Sequence, residues 1–419
     1  MITTNNNPPK GCKATLKPAN LLAGFFVSNI FIILPHQKNR ILIMKEENKL
    51  LEVGKVFFKL GCFAFGGPAA HISMMEEEVV NKRKWMDRSH YLDLIGATNL
   101  IPGPNSTEMT MHCGHERAGF KGLIVAGLAF IIPAIVITGL LAFLYVEYGQ
   151  LPELAPFVFG IKPAVLAIIA SAVIKLGKKA LKSWELGILG AAVLGLSIFG
   201  INEVLALLGA GLVGAIIFYA KHKIMAQPKS ILPLFLLQIP GATILKITSL
   251  KVFLTFLKVG AILYGSGYVL FAYLDAELVE TGLMTRQALL DAIAVGQFTP
   301  GPVLSTATFI GFQLNGFWGA VAASTGIFLP SFLFVLLLNP LIPKMRKSKF
   351  LSFFLDSVNV AAVAIMAGVL YVMSIETITD WRAIVIAILS IIITFGFKKV
   401  SVMWVIAGGA GLGYLLHLI

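Results

Sequence analysis

Long apolar runs separated by short charged loops set the pattern of this chain. Gly122–Val146, Phe157–Leu176, Val321–Leu338 and Ala383–Phe397 are nearly free of charged residues. A run of about 18 or more apolar residues is long enough for a helix to cross the hydrocarbon core of a bilayer. The pattern predicts apolar segments at 53–73, 91–112, 119–146, 154–175, 184–200 and 202–220. A second series, in the same order, falls at 250–272, 287–312, 316–342, 351–374, 381–397 and 400–418.

The two series are copies of one unit. Phe58-Lys-Leu-Gly61 matches Leu257-Lys-Val-Gly260, and Phe65-Gly66 matches Tyr264-Gly265. Met86-Asp-Arg88 matches Met284-Thr-Arg286, and Pro102-Gly-Pro104 matches Pro300-Gly-Pro302. Gly119-Phe-Lys-Gly122 matches Gly316-Phe-Trp-Gly319, and Pro133 matches Pro330. Ordered coincidences at one spacing mark an internal repeat. The domain reading is an N-terminal extension over 1–43, read as a start-site artefact or dispensable piece with an extra anchor as the alternative, a first repeat over 44–220, a linker over 221–248 and a second repeat over 249–419.

Charge then orients the halves, because loops rich in Lys and Arg stay on the cytoplasmic side. Lys175, Lys178, Lys179 and Lys182 separate the fourth and fifth segments of the first half. In the second half the cations Lys344, Arg346, Lys347 and Lys349 instead separate the third and fourth. The halves are therefore expected in opposite orientations. Lys82, Arg83, Lys84 and Arg88 follow segment one, and Arg117 and Lys121 follow segment two. With both ends of each segment on one side, segments one and two read as re-entrant hairpins. The inversion also asks Ile231–Leu245 to cross the membrane. The fold expected is an all-α polytopic membrane protein of two homologous, inverted halves with broken or re-entrant helices, placed in the plasma membrane.

Composition fits this picture: 57% of residues are hydrophobic, 13% are charged, and the mean hydropathy is +0.85. The net charge of +13 lies mostly in loops, so topology accounts for it and nucleic acid is not expected as a partner. Cys12, Cys62 and Cys113 form no Cys-x-x-Cys pair, so neither a disulfide framework nor a zinc site is expected. His112 and His115 flank Cys113 but lack a second ligand pair, and read as loop histidines without a metal. No cofactor motif is present, and no nucleophile cluster suggests an enzyme.

The residues that carry chemistry are the breaks. Gly66-Gly67-Pro68 interrupts segment one and Pro102-Gly103-Pro104 interrupts segment two; Gly265 and Pro300-Gly301-Pro302 are their counterparts. Open backbone at membrane depth is tolerated only where protein or a wet cavity covers it. Helix N-termini after the breaks suit an anion, and Asn105, Ser106, Thr107, Ser305 and Thr306 stand there, either as ligands or as caps. Lys59 and Lys258 are matched cations inside apolar segments, candidates for the anion's countercharge or for snorkelling. Glu78 with Glu277, and Asp93 with Asp291, are matched carboxylates for ion or proton coupling; ion pairs with Lys82–Lys84 are the plainer reading of the first, and helix capping is the alternative for the second, whose members each have an apolar neighbourhood on one side. Lys162, whose counterpart is Asn359, breaks the symmetry.

Phe63-Ala-Phe-Gly-Gly-Pro68, Trp85, Asp93, Asn99-Leu-Ile-Pro-Gly-Pro-Asn105, Gly119-Phe-Lys-Gly122 and Pro133 resemble the chromate ion transporter family. The doubled arrangement is similar to its long-chain, two-domain form over about 50–419. The second half departs at Gly265-Ser266-Gly267, where Pro68 has no proline counterpart. The resemblance implies export of chromate, a tetrahedral dianion, with the lipid bilayer as surroundings; a homodimer is compatible with this build. Sulfate carriage by the same build, a passive anion channel and a membrane-embedded enzyme are the competing readings.

Overall fold

The computed structural model describes residues 49–65, 67–149, 151–199, 203–223, 248–264, 267, 269–338, 345, 348–397 and 400–418. Residues Glu52–Ile419 form one compact unit and Met1–Leu51 another, of which only the last three residues are described. The expected crossing at Ile231–Leu245, the cations Lys344, Arg346 and Lys347, and the glycines Gly66 and Gly265 lie outside the described residues. Among the described residues every regular element is helical.

The first half opens with α1 (residues 49–63), a break, and α2 (Gly67–Glu76), which runs into a wider π-helical turn, Glu77–Lys82. α3 (Arg88–Thr98) follows, its N-terminus capped by Asp87, which accepts from His90 N at 2.7 Å and from Ser89 Oγ at 2.8 Å. These two hydrogen bonds hold the Asp87 carboxyl below the usual carboxylate range. After Pro102-Gly-Pro104 the helical run Asn105–Tyr148 begins, but Ala118 and Gly119 (φ 61°) reverse it. It is two helices, α4 (residues 105–117) and α5 (residues 120–148), packed antiparallel. Only glycine fits their contact: a β-carbon on Gly114 or Gly122 would collide with the carbonyl of the other. α6 (Ala155–Ala180), α7 (Trp184–Ile198) and α8 (Glu203–Lys223) complete the half.

The second half repeats this order. α9 (Ser249–Ile262) and α10 (Leu270–Leu274) flank a break, and α10 again runs into a π-helical turn, Asp275–Val279. α11 (Arg286–Phe298) leads to Pro300-Gly-Pro302 and a 3-10 turn, Val303–Ser305. The run Thr306–Leu338 reverses at Asn315 and Gly316 (φ 58°), giving α12 (residues 306–314) and α13 (residues 317–338). Gly311 and Gly319 collide as Gly114 and Gly122 do. α14 (Lys349–Thr377), α15 (Trp381–Gly396) and α16 (Val402–His417) follow.

In each half, segments one and two are hairpins, not spans. α1 lies along α2 and its π turn: Lys59 Nζ is 3.6 Å from Glu78, and Trp85 Nε1 donates to Glu52 at 3.2 Å. α3 lies along α4, with His90 3.2 Å from Glu116 near their ends and Asn105 donating to Asn99 at 2.7 Å near their tip. Both hairpins of the first half thus share a base at Glu52, Trp85 and Arg117, the last donating to Glu52 at 2.6 Å. Asn315 donating to Ser249 at 2.7 Å closes the corresponding base of the second half.

The inversion follows from the long helices. α5 leaves the first half's base and ends beside the second half's, where Tyr145 donates to Asp291 of α11 at 2.6 Å. Twenty-five residues at about 1.5 Å each span a bilayer core. α13 runs the other way: Val335 packs with Ile101, Met111 and Leu123 of the first half. Among the described residues four apolar runs, those containing α5, α6, α13 and α14, are long enough to cross a membrane. The two sets of hairpins therefore enter from opposite faces. Lys182, following α6, donates to Asp356 of α14 at 2.6 Å, so the loops between α6 and α7 and before α14 share a face.

Two sequence expectations change. His112 and His115 sit in helix α4, His112 buried, because the chain turns at Gly119 and not before. Asp93 and Asp291 do not share an apolar setting: Asp93 is exposed, whereas Asp291 is buried.

Candidate functional site

The hairpin tips of the two halves meet and exchange hydrogen bonds. Gly103, in the first Pro-Gly-Pro, takes φ 139°, and its N–H donates to Leu263 O in the second half's break at 2.6 Å. Gly301, in the second Pro-Gly-Pro, takes φ 84°, and its N–H donates to Ala64 O in the first half's break at 2.9 Å. The prolines explain the arrangement. Each tip has two residues without an N–H, so its backbone cannot close a helix, and the glycine between them supplies the one donor at a φ that L side chains avoid. Each break thereby has one of its carbonyls satisfied by the opposite half, as low-dielectric surroundings require.

The crossing is tight. A β-carbon on Gly301 would lie 2.9 Å from Ala134 Cβ and 3.2 Å from Gly61 O. One on Gly61 would lie 2.6 Å from Phe130 O, so α1 seats directly on the backbone of α5. On the other side, a β-carbon on Gly103 would collide with Glu108 Oε1 and lie 2.8 Å from Ser331 Oγ of α13.

Around this crossing lie buried polar atoms that have no hydrogen-bond partner among the described residues. They include Thr107 Oγ1 and both Glu108 oxygens on α4, Ser305 Oγ and Gln297 Nε2 at the second tip, and Ser331 Oγ. α2, α4 and α12 all start at the tips, so their positive ends converge there. Side-chain capping does not use these hydroxyls: α4 has Pro104 at its cap position without a side-chain bond, and Thr306 bonds back to Val303 O at 2.8 Å. Ser106 is buried, Asn105 is half-buried, and Pro68 follows Gly67 (φ 77°) at the start of α2.

The matched charges lie elsewhere. Lys59 pairs with Glu78 across the first hairpin, and Lys258 donates to Glu277 at 2.6 Å across the second. Lys59 and Lys258 are exposed, with Glu78 also held by Lys82 at 3.4 Å and by Arg83. A cavity of about 700 Å³ borders this first pair and Arg88. A second, of about 450 Å³, borders Lys162, Tyr145 and Asp291 at the opposite base. Lys162 lies 3.5 Å from Asp291, and Arg286 joins Asp275 at 2.8 Å and Glu376 beside them. No group of three metal-ligating side chains occurs among the described residues.

Sequence reading missed Glu108 and the Lys162–Asp291–Tyr145 cluster. Glu108 had a usable signal, an ionisable side chain inside an apolar segment. The cluster had none, since its members are joined only by folding.

A family model described as chromate transporter matches twice, over residues 51–215 and 250–414. A probable chromate transport protein of Synechococcus elongatus is 31% identical over 377 residues, covering 85% of this chain and 95% of that one. A chromate transport protein of Cupriavidus metallidurans is 29% identical over 377 residues, covering 86% and 92%. One of Pseudomonas aeruginosa is 29% identical over 327 residues, covering 74% and 78%. No solved structure matches. The family model's match to both repeats leads to one assignment: the chain belongs to the chromate transporter family.

Proposed function

We propose that this chain exports chromate from the cytoplasm by alternating access, binding the dianion where the hairpin tips cross. The observation that carries this is the crossing itself: broken backbone from both halves, converging helix N-termini and unpartnered buried hydroxyls at one place. Inverted-repeat transporters hold substrate at such discontinuous helices. Ser106, Thr107, Ser305 and Ser331 supply hydroxyl donors, and the Gly-Gly-Pro and Pro-Gly-Pro backbones shape the seat. Lys59 with Glu78 and Lys258 with Glu277 form matched gates on the two faces, between the crossing and the hairpin bases. Asp291, held by Lys162 and Tyr145, fastens α5, α6 and α11 at the second base.

Charge supports the direction. The first half's base gathers Lys82, Arg83, Arg88, Arg117, Lys121 and the Lys175–Lys182 series, which favours a cytoplasmic position for that face. Moving one charge through 100 mV is worth about 2.3 kcal/mol, so a dianion gains about 4.6 kcal/mol on leaving an inside-negative cell. Labelled chromate uptake into inside-out vesicles, with a lumen-positive potential imposed, tests the reading. Saturable uptake that the potential enhances and that sulfate inhibits weakly is expected. Uptake abolished by a small sulfate excess makes the chain a sulfate carrier, and uptake no faster than in empty vesicles removes the proposal.

A further inference from the structure

Glu108 is the one carboxylate at the crossing among the described residues, and it has no equivalent in the second half, where Ser305 and Thr306 occupy the matching stretch. Its side chain is fully buried, and neither oxygen has a hydrogen bond or ion pair among the described residues. It stands in the first turn of α4, where the helix's positive end favours a negative charge. One oxygen lies against Gly103, and Ser331 Oγ is beside the same spot. An anion seated at this tip would therefore sit next to a carboxylate in a water-poor site, and like charges there cannot both persist.

From this geometry we infer that Glu108 binds a proton whenever the crossing holds an oxyanion, so that the chain moves a proton and a dianion together. The inference rests on the proposed anion site and deepens it. With the site empty, the ionised carboxylate takes the place of the absent substrate in the field of α4. When the dianion arrives, Glu108 accepts a proton from the aqueous face to which the site is open, and one negative charge leaves the crossing. The loaded site then carries two negative charges and the empty site one, so each cycle moves one net negative charge.

Other titratable groups lie near Glu108. Tyr264, from the second half's break, lies within its electrostatic reach. His112 follows one turn along α4, buried, with Nε2 unpartnered. His71 on α2 is engaged with Ala64 O at 3.1 Å. The lysines Lys59, Lys162 and Lys258 are each paired with another carboxylate.

The test uses the full chain in proteoliposomes, with chromate as the probe, at an alkaline pH where the oxyanion itself carries no proton. A lumenal pH dye and a clamped membrane potential are read together, with equal pH on both sides. One net charge per cycle places zero flux at about 59 mV for a tenfold chromate gradient, and two net charges place it at about 30 mV. We expect wild type near 59 mV, with the lumen acidifying as chromate enters. Glu108→Gln should shift to about 30 mV and lose the acidification. Wild type at about 30 mV with a silent dye overturns the inference while leaving the anion site standing, whatever the variant does. So does an E108Q protein that still acidifies the lumen, or flux that follows a sodium gradient in place of protons. Absence of any chromate flux in wild type overturns the anion site, and the inference with it.

Discussion

The two halves share a backbone and differ in their polar content. Their reversals at Gly119 and Gly316 take φ 61° and 58°, and their π-helical turns and their Pro-Gly-Pro donors recur at matched positions. Yet the first tip carries Glu108 where the second carries Ser305 and Thr306, and the second base buries Asp291 where the first exposes Asp93. Backbone geometry is what the crossing needs twice, because each tip satisfies a carbonyl of the other half. Side-chain chemistry is needed once if, as proposed, a single site at the crossing draws on both halves.

The aspartates offer the largest break in that comparison. Asp291→Ala leaves Lys162 without its partner and should cost about 3 kcal/mol, the lower end for a buried pair because Lys162 keeps some exposure. Asp93→Ala, at an exposed site, should stay within about 1 kcal/mol. Thermal unfolding in detergent separates the two; equal losses contradict the asymmetry of the bases. The tip glycines sharpen the shared half of the comparison. Gly103→Ala and Gly301→Ala each force a β-carbon into a positive-φ position that is already filled, and each should cost about 1–3 kcal/mol. Similar losses of stability and of chromate flux in both support a doubled backbone device; a silent Gly301→Ala breaks it. The smallest effect belongs to the proposed gates. Lys59→Ala and Lys258→Ala remove ion pairs whose lysine ends are exposed, and Glu78 keeps Lys82 and Arg83, so each should change stability by about 1 kcal/mol or less. Both should slow flux, each from its own face, when measured in vesicles of opposite orientation.

Much of the fold could be read from the chain, for physical reasons. Gly-Gly-Pro and Pro-Gly-Pro forbid continuous helices wherever they stand, so the breaks were visible as residues. The swap of basic loops between the halves announced the inversion, and the same-side charges around Arg88 and Arg117 announced the hairpins. What stayed hidden depends on distant partners. Nothing local says that Gly103 donates to Leu263 or that Lys162 reaches Asp291. Asp93 and Asp291 look alike in sequence because the partners that hold Asp291, Lys162 and Tyr145, come from the other half. Glu108 was passed over because an acidic residue in a helix's first turn is ordinary in water; its burial at the crossing makes it unusual. The hydroxyls after the prolines read equally as caps or ligands until Pro104 was seen to take the cap position without a side-chain bond.

Accessibility of four single cysteines, in a chain whose three native cysteines are replaced by serine, tests the inverted, tip-to-tip architecture most directly. Lys179→Cys and Lys349→Cys should be shielded from an impermeant thiol reagent in intact cells, while Glu153→Cys and Asp380→Cys should be labelled. Positions 179 and 380 lie at equivalent junctions of the two halves, between α6 and α7 and between α14 and α15, so their opposite behaviour is the signature of inversion. Labelling of both, or of neither, would mean that the halves insert in the same direction and that their tips do not meet.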